Sequence, residues 1–350
     1  MKVRLLLLAT LLNTITVSGQ FTTPISDSIF EQRLINLGYD TGIPNGEVLT
    51  SIIDTIDTLD ISGNLVSQII TLSGIEYFTS LRYLDCSENS IDSLNLNSNS
   101  QLKHINCSSN DMSILEINNL NNLDVLNCSF NDLTAINLPN NNEIDSLMCY
   151  NNQLYSLDVS GNINIEYLYC GENNLTSLDL SVLSQFGGLS VLECQNNPIT
   201  DIDLSGNSSL KHLSCPNNML SEINLSDNTN LQWLSIGNNL LDTNNNNNLN
   251  QLDLSLNCDI TNLYCSGNAN LLCIEVCDIT QTSSWIDNID SQQYYSNDCN
   301  YNTGTYNTLE YRNNIISIKD IYGRESDTKS NSILFFIYQD GTVKKQIILD

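Results

Sequence analysis

Cysteine returns at a fixed interval through the middle of this chain. Cys86, Cys107, Cys128, Cys149 and Cys170 are each 21 residues apart, Cys194 follows after 24, Cys215 after 21, and Ile236 holds the same place after a further 21. A unit of 21 residues cannot cover its own apolar face and must stack against copies of itself. The units read LRYLDCSENSIDSLNLNSNSQ from Leu81, LKHINCSSNDMSILEINNLNN from Leu102, LDVLNCSFNDLTAINLPNNNE from Leu123 and IDSLMCYNNQLYSLDVSGNIN from Ile144. Others begin at Ile165, Leu189, Leu210, Leu231 and Ile260, and an earlier one starts at Ile56 with Ile61 at the cysteine place, ten in all.

Each place in the unit has its own physical reading. Apolar residues at places 1, 4 and 6 include a two-residue alternation, so places 3 to 5 are expected to form a short strand whose places 4 and 6 point inward. Asn recurs at place 9, as Asn89, Asn110, Asn131, Asn152, Asn173, Asn197, Asn218, Asn239 and Asn268. Its amide can satisfy backbone groups where the chain turns away from the strand. The second half of the unit leaves little room for a full helix, and extended or short 3₁₀ segments are expected there. This order of residues resembles the leucine-rich repeat family, whose L-x-x-L-x-L-x-x-N-x-L pattern appears here as Leu210, Leu213, Cys215, Asn218 and Leu220. The resemblance implies a repeat solenoid, mainly β, in which parallel strands line the concave face of a superhelix.

The ends of such an array need covers. Ile29 to Leu37 has helical spacing, with Ser28 or Asp27 as N-cap and Gly38 as the stop. The segment FEQRLINLGYD...NGEVLTS resembles the N-terminal cap of secreted leucine-rich repeat proteins of the Bacteroidetes type. Ahead of it, Lys2 and Arg4, the apolar run Leu5 to Leu12, and Val17 and Gly19 before Gln20 read as a signal peptide. The run falls short of the roughly 20 apolar residues a spanning helix needs. The expected organisation is a signal peptide at 1–19, an N-terminal cap at 20–55, repeats at 56–280, a C-terminal cap at 281–299, a linker at 300–314 and a small β tail at 315–350. Two irregularities, at Phe186 to Gly188 and at Asp242 to Asn250, map to loops.

Eight cysteines share a place that Ile61 and Ile236 also occupy, so they are expected to be buried free thiols, side by side on parallel strands. Cys258, Cys273, Cys277 and Cys299 lie outside that row. A bridge between Cys273 and Cys299 would pin a cap containing Trp285 over the last coil, and Cys258 with Cys277 is a second pairing.

In the tail, IISIKDIYGRE and ILFFIYQDGTVKKQIILD alternate like strands, with Asp340-Gly341 as a hairpin signal. The tail resembles the C-terminal modules of exported Bacteroidetes proteins associated with type IX secretion, although the usual Pro-Asn-Pro opening and Gly-x-Tyr strand are not present. That resemblance implies handling by the secretion machinery and a secreted or cell-surface product. An ordinary second domain is the alternative reading.

Function is expected on the concave face, where places 2, 3 and 5 point outward. Those places hold Tyr83, His104, Tyr167, Tyr169, His212, Trp233 and Tyr264, rigid amphipathic groups suited to peptides or sugars. Twelve basic against 40 acidic residues give a net charge of −28, which disfavours nucleic acid. With only His104 and His212 as histidines, and no nucleophile elbow, P-loop, dinucleotide fingerprint or EF-hand loop, the chain carries no sign of an enzyme, a metal site or a cofactor. No later segment is apolar enough to span a membrane. The expectation is a non-catalytic, extracellular or cell-surface protein that binds protein or polysaccharide in adhesion or recognition. A structural spacer without a ligand is the alternative, and an enzyme comes third.

Overall fold

A computed structural model of the chain describes residues 21–63, 66–186, 188–237, 249–285 and 289–299, and the strands within 315–320, 332–338 and 343–348. The expected signal peptide, Asn239, most of the Asn-rich insertion, the linker and the Asp340-Gly341 turn lie outside the described residues. The chain divides into two compact units, Met1–Ile144 and Asp145–Asp350.

The first unit opens with a helix, Ser28–Asn36, flanked by an antiparallel pair of strands, Thr22–Pro24 and Glu47–Leu49. Asp27 is the N-cap: one carboxylate oxygen accepts from the N–H groups of Ile29 (2.8 Å) and Phe30 (3.0 Å). Its other oxygen accepts from Ile70 (2.8 Å) and Thr71 (3.3 Å), tying the helix start to the first repeat. Gly38, at φ +82°, ends the helix. The N–H of Tyr39 reaches back to Leu34 and that of Gly38 to Ile35, the Schellman arrangement. Phe30 and Leu34, one helical turn apart, are buried, and Phe30 stacks on Phe78 with ring centroids 6.1 Å apart. The expected helical cover is present, with Asp27 rather than Ser28 as its cap.

Four three-residue strands follow in parallel and in register: Thr58–Asp60, Tyr83–Asp85, His104–Asn106 and Val125–Asn127. Their central residues Leu59, Leu84, Ile105 and Leu126 are buried, as are Cys86, Cys107 and Cys128 two residues on. The second half of the coils adds a shorter parallel pair, Ser93–Asn95 with Ile114–Glu116.

The second unit repeats this plan with six parallel strands: Ser146–Met148, Tyr167–Tyr169, Val191–Glu193, His212–Ser214, Trp233–Ser235 and Asn262–Tyr264. A 3₁₀ segment, Ser181–Phe186, occupies the lengthened unit, and Gly188 at φ +73° leads out of it. A Cβ there would stand 2.8 Å from the Asn207 amide oxygen and 3.0 Å from its backbone, so this position requires glycine twice over. At the far end Leu252–Leu254, Cys273–Val276 and Tyr294–Ser296 form a separate parallel sheet. The tail is a three-stranded antiparallel sheet of Ile315–Asp320, Ser332–Tyr338 and Val343–Ile348.

Two rows of asparagine hold the coils together. At place 9, Asn110 is typical: its amide nitrogen donates to the carbonyls of Cys86 (3.1 Å), Cys107 (3.1 Å) and Ser108 (3.2 Å), and its oxygen accepts from the Ile91 N–H (3.0 Å). One side chain thus closes its own turn and pins the preceding coil. Asn173, Asn197 and Asn218 do the same in the second unit. A second buried row, not anticipated from the sequence, stands just ahead of the next strand. There Asn99 donates to Ile75 and Phe78, Asn141 to Leu120 and Leu123, Asn228 to Leu204 and Asn207, and Asn257 to Leu225 and Asn228. The residue before seven of the place-9 asparagines is left-handed without being glycine: Glu88, Ser109, Phe130, Asn151, Glu172, Asn196 and Asn217 have φ between 52° and 57°.

The eight ladder cysteines are buried and unbridged. Cys258 is bonded to Cys277, and Cys273 to Cys299. Trp285 is buried, meets Tyr295 edge to face at 5.9 Å and donates its indole N–H to the Thr261 carbonyl (3.0 Å). Gln293 continues the polar seam by donating to the Asn268 carbonyl (3.3 Å). Among the described residues, no helix is long and apolar enough to cross a membrane.

Candidate functional site

A three-residue strand presents two side chains on one face and one on the other. Because the central leucine or isoleucine is claimed by the core, places 3 and 5 have nowhere to go but outward, and they are half-buried or exposed throughout. The open face of each sheet is therefore written directly by these places.

In the first unit the face is mostly polar. Asp85 accepts from the Ser87 hydroxyl (2.6 Å) with one oxygen and from the Asn106 amide (2.9 Å) with the other, and Asn106 accepts from Ser108 (2.8 Å). Tyr83 and His104 stand beside this network as a tilted pair, centroids 6.4 Å apart. The His104 imidazole lies 3.6 Å from the Asp124 carboxylate.

The second unit carries the aromatic row. His212 stacks on Trp233, centroids 5.4 Å apart and planes 13° from parallel, and Trp233 meets Tyr264 at 5.1 Å. The in-register pairing His212↔Trp233 sets the first contact, since adjacent parallel strands bring like places together, whereas Tyr264 registers with Ser235 and meets Trp233 diagonally. Tyr167 and Tyr169 lie on a strand of the same sheet, paired through Val191 and Glu193 to the next coil. These outward-pointing rings are half-buried rather than fully exposed.

Carboxylates accompany the rings. Glu193 lies 3.4 Å from the His212 imidazole. Its carboxyl is held below its ordinary pKa, first by the hydrogen bond with His212, against desolvation, then by the imidazole charge and by Gln195. Glu172 accepts from the Tyr150 hydroxyl (3.2 Å) and from the Asn196 amide. Burial, followed by Glu172, pushes the Tyr150 hydroxyl up to about 12. Tyr169 is raised by desolvation and then by Glu193 and Tyr167. Both phenols therefore stay neutral hydrogen-bonding groups at physiological pH.

Among the described residues, no group of three or more His, Cys, Asp or Glu side chains is placed to hold a metal ion. Burial raises the pKa of the ladder thiols Cys86, Cys107, Cys128, Cys170, Cys194, Cys215 and Cys265, to about 12 for Cys128 and Cys194, so these are thiols rather than thiolates. The arrangement offers contact surface, ring faces and fixed charge.

No protein-family model matches the sequence, and no curated protein does. Solved structures do. The functional domain of InlJ from Listeria monocytogenes, described as including a cysteine ladder, is similar at 18% identity over 93% of this chain and 98% of its own, with a TM-score of 0.40. YopM from Yersinia enterocolitica is 24% identical over 67% of this chain and 47% of its own, TM-score 0.50. The leucine-rich repeat domain of APL1B is 20% identical over 73% of this chain and 70% of its own, TM-score 0.53. Together with the strand register above, this likeness gives the chain a mainly β, parallel solenoid fold of the leucine-rich-repeat type, with about ten turns.

Proposed function

We propose that this chain is a non-catalytic recognition protein, acting outside the cell or on its surface, that binds protein or polysaccharide through the open face of its repeat strands. The observation that carries the reading is the row His212, Trp233 and Tyr264, three large rings on successive strands of one sheet with Tyr167 and Tyr169 on the same face. Aromatic side chains of this kind supply contact area at small entropic cost. Export is supported by the N-terminal charged and apolar pattern and by two disulfides, bonds that persist in oxidising compartments. The antiparallel tail serves, in this reading, as the module that the type IX secretion machinery handles.

A glycan and protein array probed with residues 20–310 tests the reading, with a second array for the variant carrying Tyr167→Ala, Tyr169→Ala and Trp233→Ala. Signals that the wild-type segment gives and the variant loses support the face. Signals left unchanged by all three substitutions return the array to a spacer role.

A further inference from the structure

Resting on that reading, we propose that the aromatic row of the second unit takes a cationic peptide segment, an extended chain presenting Lys or Arg side chains. Three observations in one unit converge on this ligand class. The first is the ring row itself: a guanidinium or ammonium group is drawn to the faces of Trp and Tyr, and Trp is the strongest of these partners.

The second is the charge written around the rings. Immediately ahead of these strands stand Asp145 and Glu166, on an outward strand place Glu193 and in a turn that follows Glu172, against a single Lys211 ahead of His212. Two of the four carboxylates are held in place rather than left to solvent, Glu193 by His212 at 3.4 Å and Glu172 by Tyr150 at 3.2 Å and by Asn196. Charge positioned in this way favours a cation without the cost of ordering the side chain on binding. The third is the chain as a whole, whose net charge of −28 steers cations toward it and repels anionic glycans and nucleic acid. A neutral sugar would find the rings and donate hydroxyls to the carboxylates but gain nothing from the net charge.

The spacing also suits a peptide. Parallel strands repeat at about 4.8 Å, and an extended chain crossing them places alternate side chains on one face about 6.6 Å apart. Two Lys or Arg side chains on one face of such a chain therefore fit within the roughly 9.6 Å that three successive coils span.

Isothermal titration calorimetry on the full chain tests the proposal with four probes: an oligo-arginine peptide, an oligo-lysine peptide, a neutral glucan oligosaccharide and oligo-glutamate. The cationic peptides are expected to bind saturably and the other two not. Raising salt from 50 to 500 mM should weaken that binding roughly tenfold or more. Trp233→Ala should weaken it by about 3- to 30-fold. Glu166→Gln, an exposed position that leaves packing untouched, should weaken it about 2- to 5-fold. The triple change Asp158→Asn, Asp179→Asn, Asp203→Asn removes more charge from exposed turns in the second half of the coils and should leave affinity within about twofold. Affinity that follows the triple change and ignores Trp233 and Glu166 would reveal a nonspecific polyanion and overturn the proposal. Salt-independent binding of the neutral oligosaccharide, lost with Trp233→Ala, would overturn the cationic assignment while leaving the binding face standing. No response of any probe to the face substitutions would take down both.

Discussion

The asparagine of place 9 is the residue on which the repeat turns, because no other side chain of its size both donates twice and accepts at a fixed angle. Replacing Asn110 by Ala leaves the Ile91 N–H without its partner in the interior and takes one amide donor from each of the Cys86 and Cys107 carbonyls, which keep those of Asn89 and Asn131. A loss of about 1 to 3 kcal/mol is expected by urea unfolding. Asn110→Asp should be no milder, since a carboxylate cannot donate to those carbonyls. A second prediction concerns pH. The folded carboxyl of Glu193 titrates below its ordinary value, so its contribution to stability is complete above the unfolded pKa of about 4.3 and is lost as pH falls through the lower folded value. Thermal unfolding of Glu193→Gln should therefore differ from that of the native protein at pH 7, with the difference closing below about pH 4. The place-9 asparagines were legible in the sequence because they recur; the partnership of Glu193 with His212 was not, since the two belong to different coils and only register brings them together.

At the scale of the element, a strand of three residues is too short to be specified by propensity, and what makes it a strand is the neighbour on either side. The alternation around each cysteine sufficed to place these strands, and the inward leucine and outward pair follow from it. The row of left-handed residues and the second asparagine row escaped the reading. Phe130 and Glu172 give no hint of positive φ, and asparagine in SGN or SDN reads as an ordinary turn until its bonds to the preceding coil are seen. The helical cover offers a third prediction. Asp27 caps its helix with one oxygen and grips Ile70 and Thr71 with the other, so Asp27→Ala removes four hydrogen bonds at once. The expected cost is about 2 to 4 kcal/mol by chemical denaturation, more than a cap alone is worth, and Asp27→Asn should recover part of it.

At the scale of the whole molecule, cysteine plays two parts. Eight thiols fill the interior of the coils and four form bridges near the C-terminal end of the repeats. The native protein should accordingly be inert to iodoacetamide at pH 8, and unfolding without reductant should expose eight reactive thiols by mass spectrometry. The bridges close loops of 19 and 26 residues, and reducing them should lower the stability of that end by about 2 to 4 kcal/mol each. Contacts in a repeat array are local, so the transition of the first unit should stay in place. Period and alternation determined the solenoid, its strand places and its inner row of thiols, because each is a property of one unit repeated. What lies across units was decided only by the tertiary structure: which rings stack, which carboxylate meets which imidazole, and which asparagine reaches back to an earlier coil. Those contacts depend on register between strands distant in sequence, and register is set by the packing of the coils against one another.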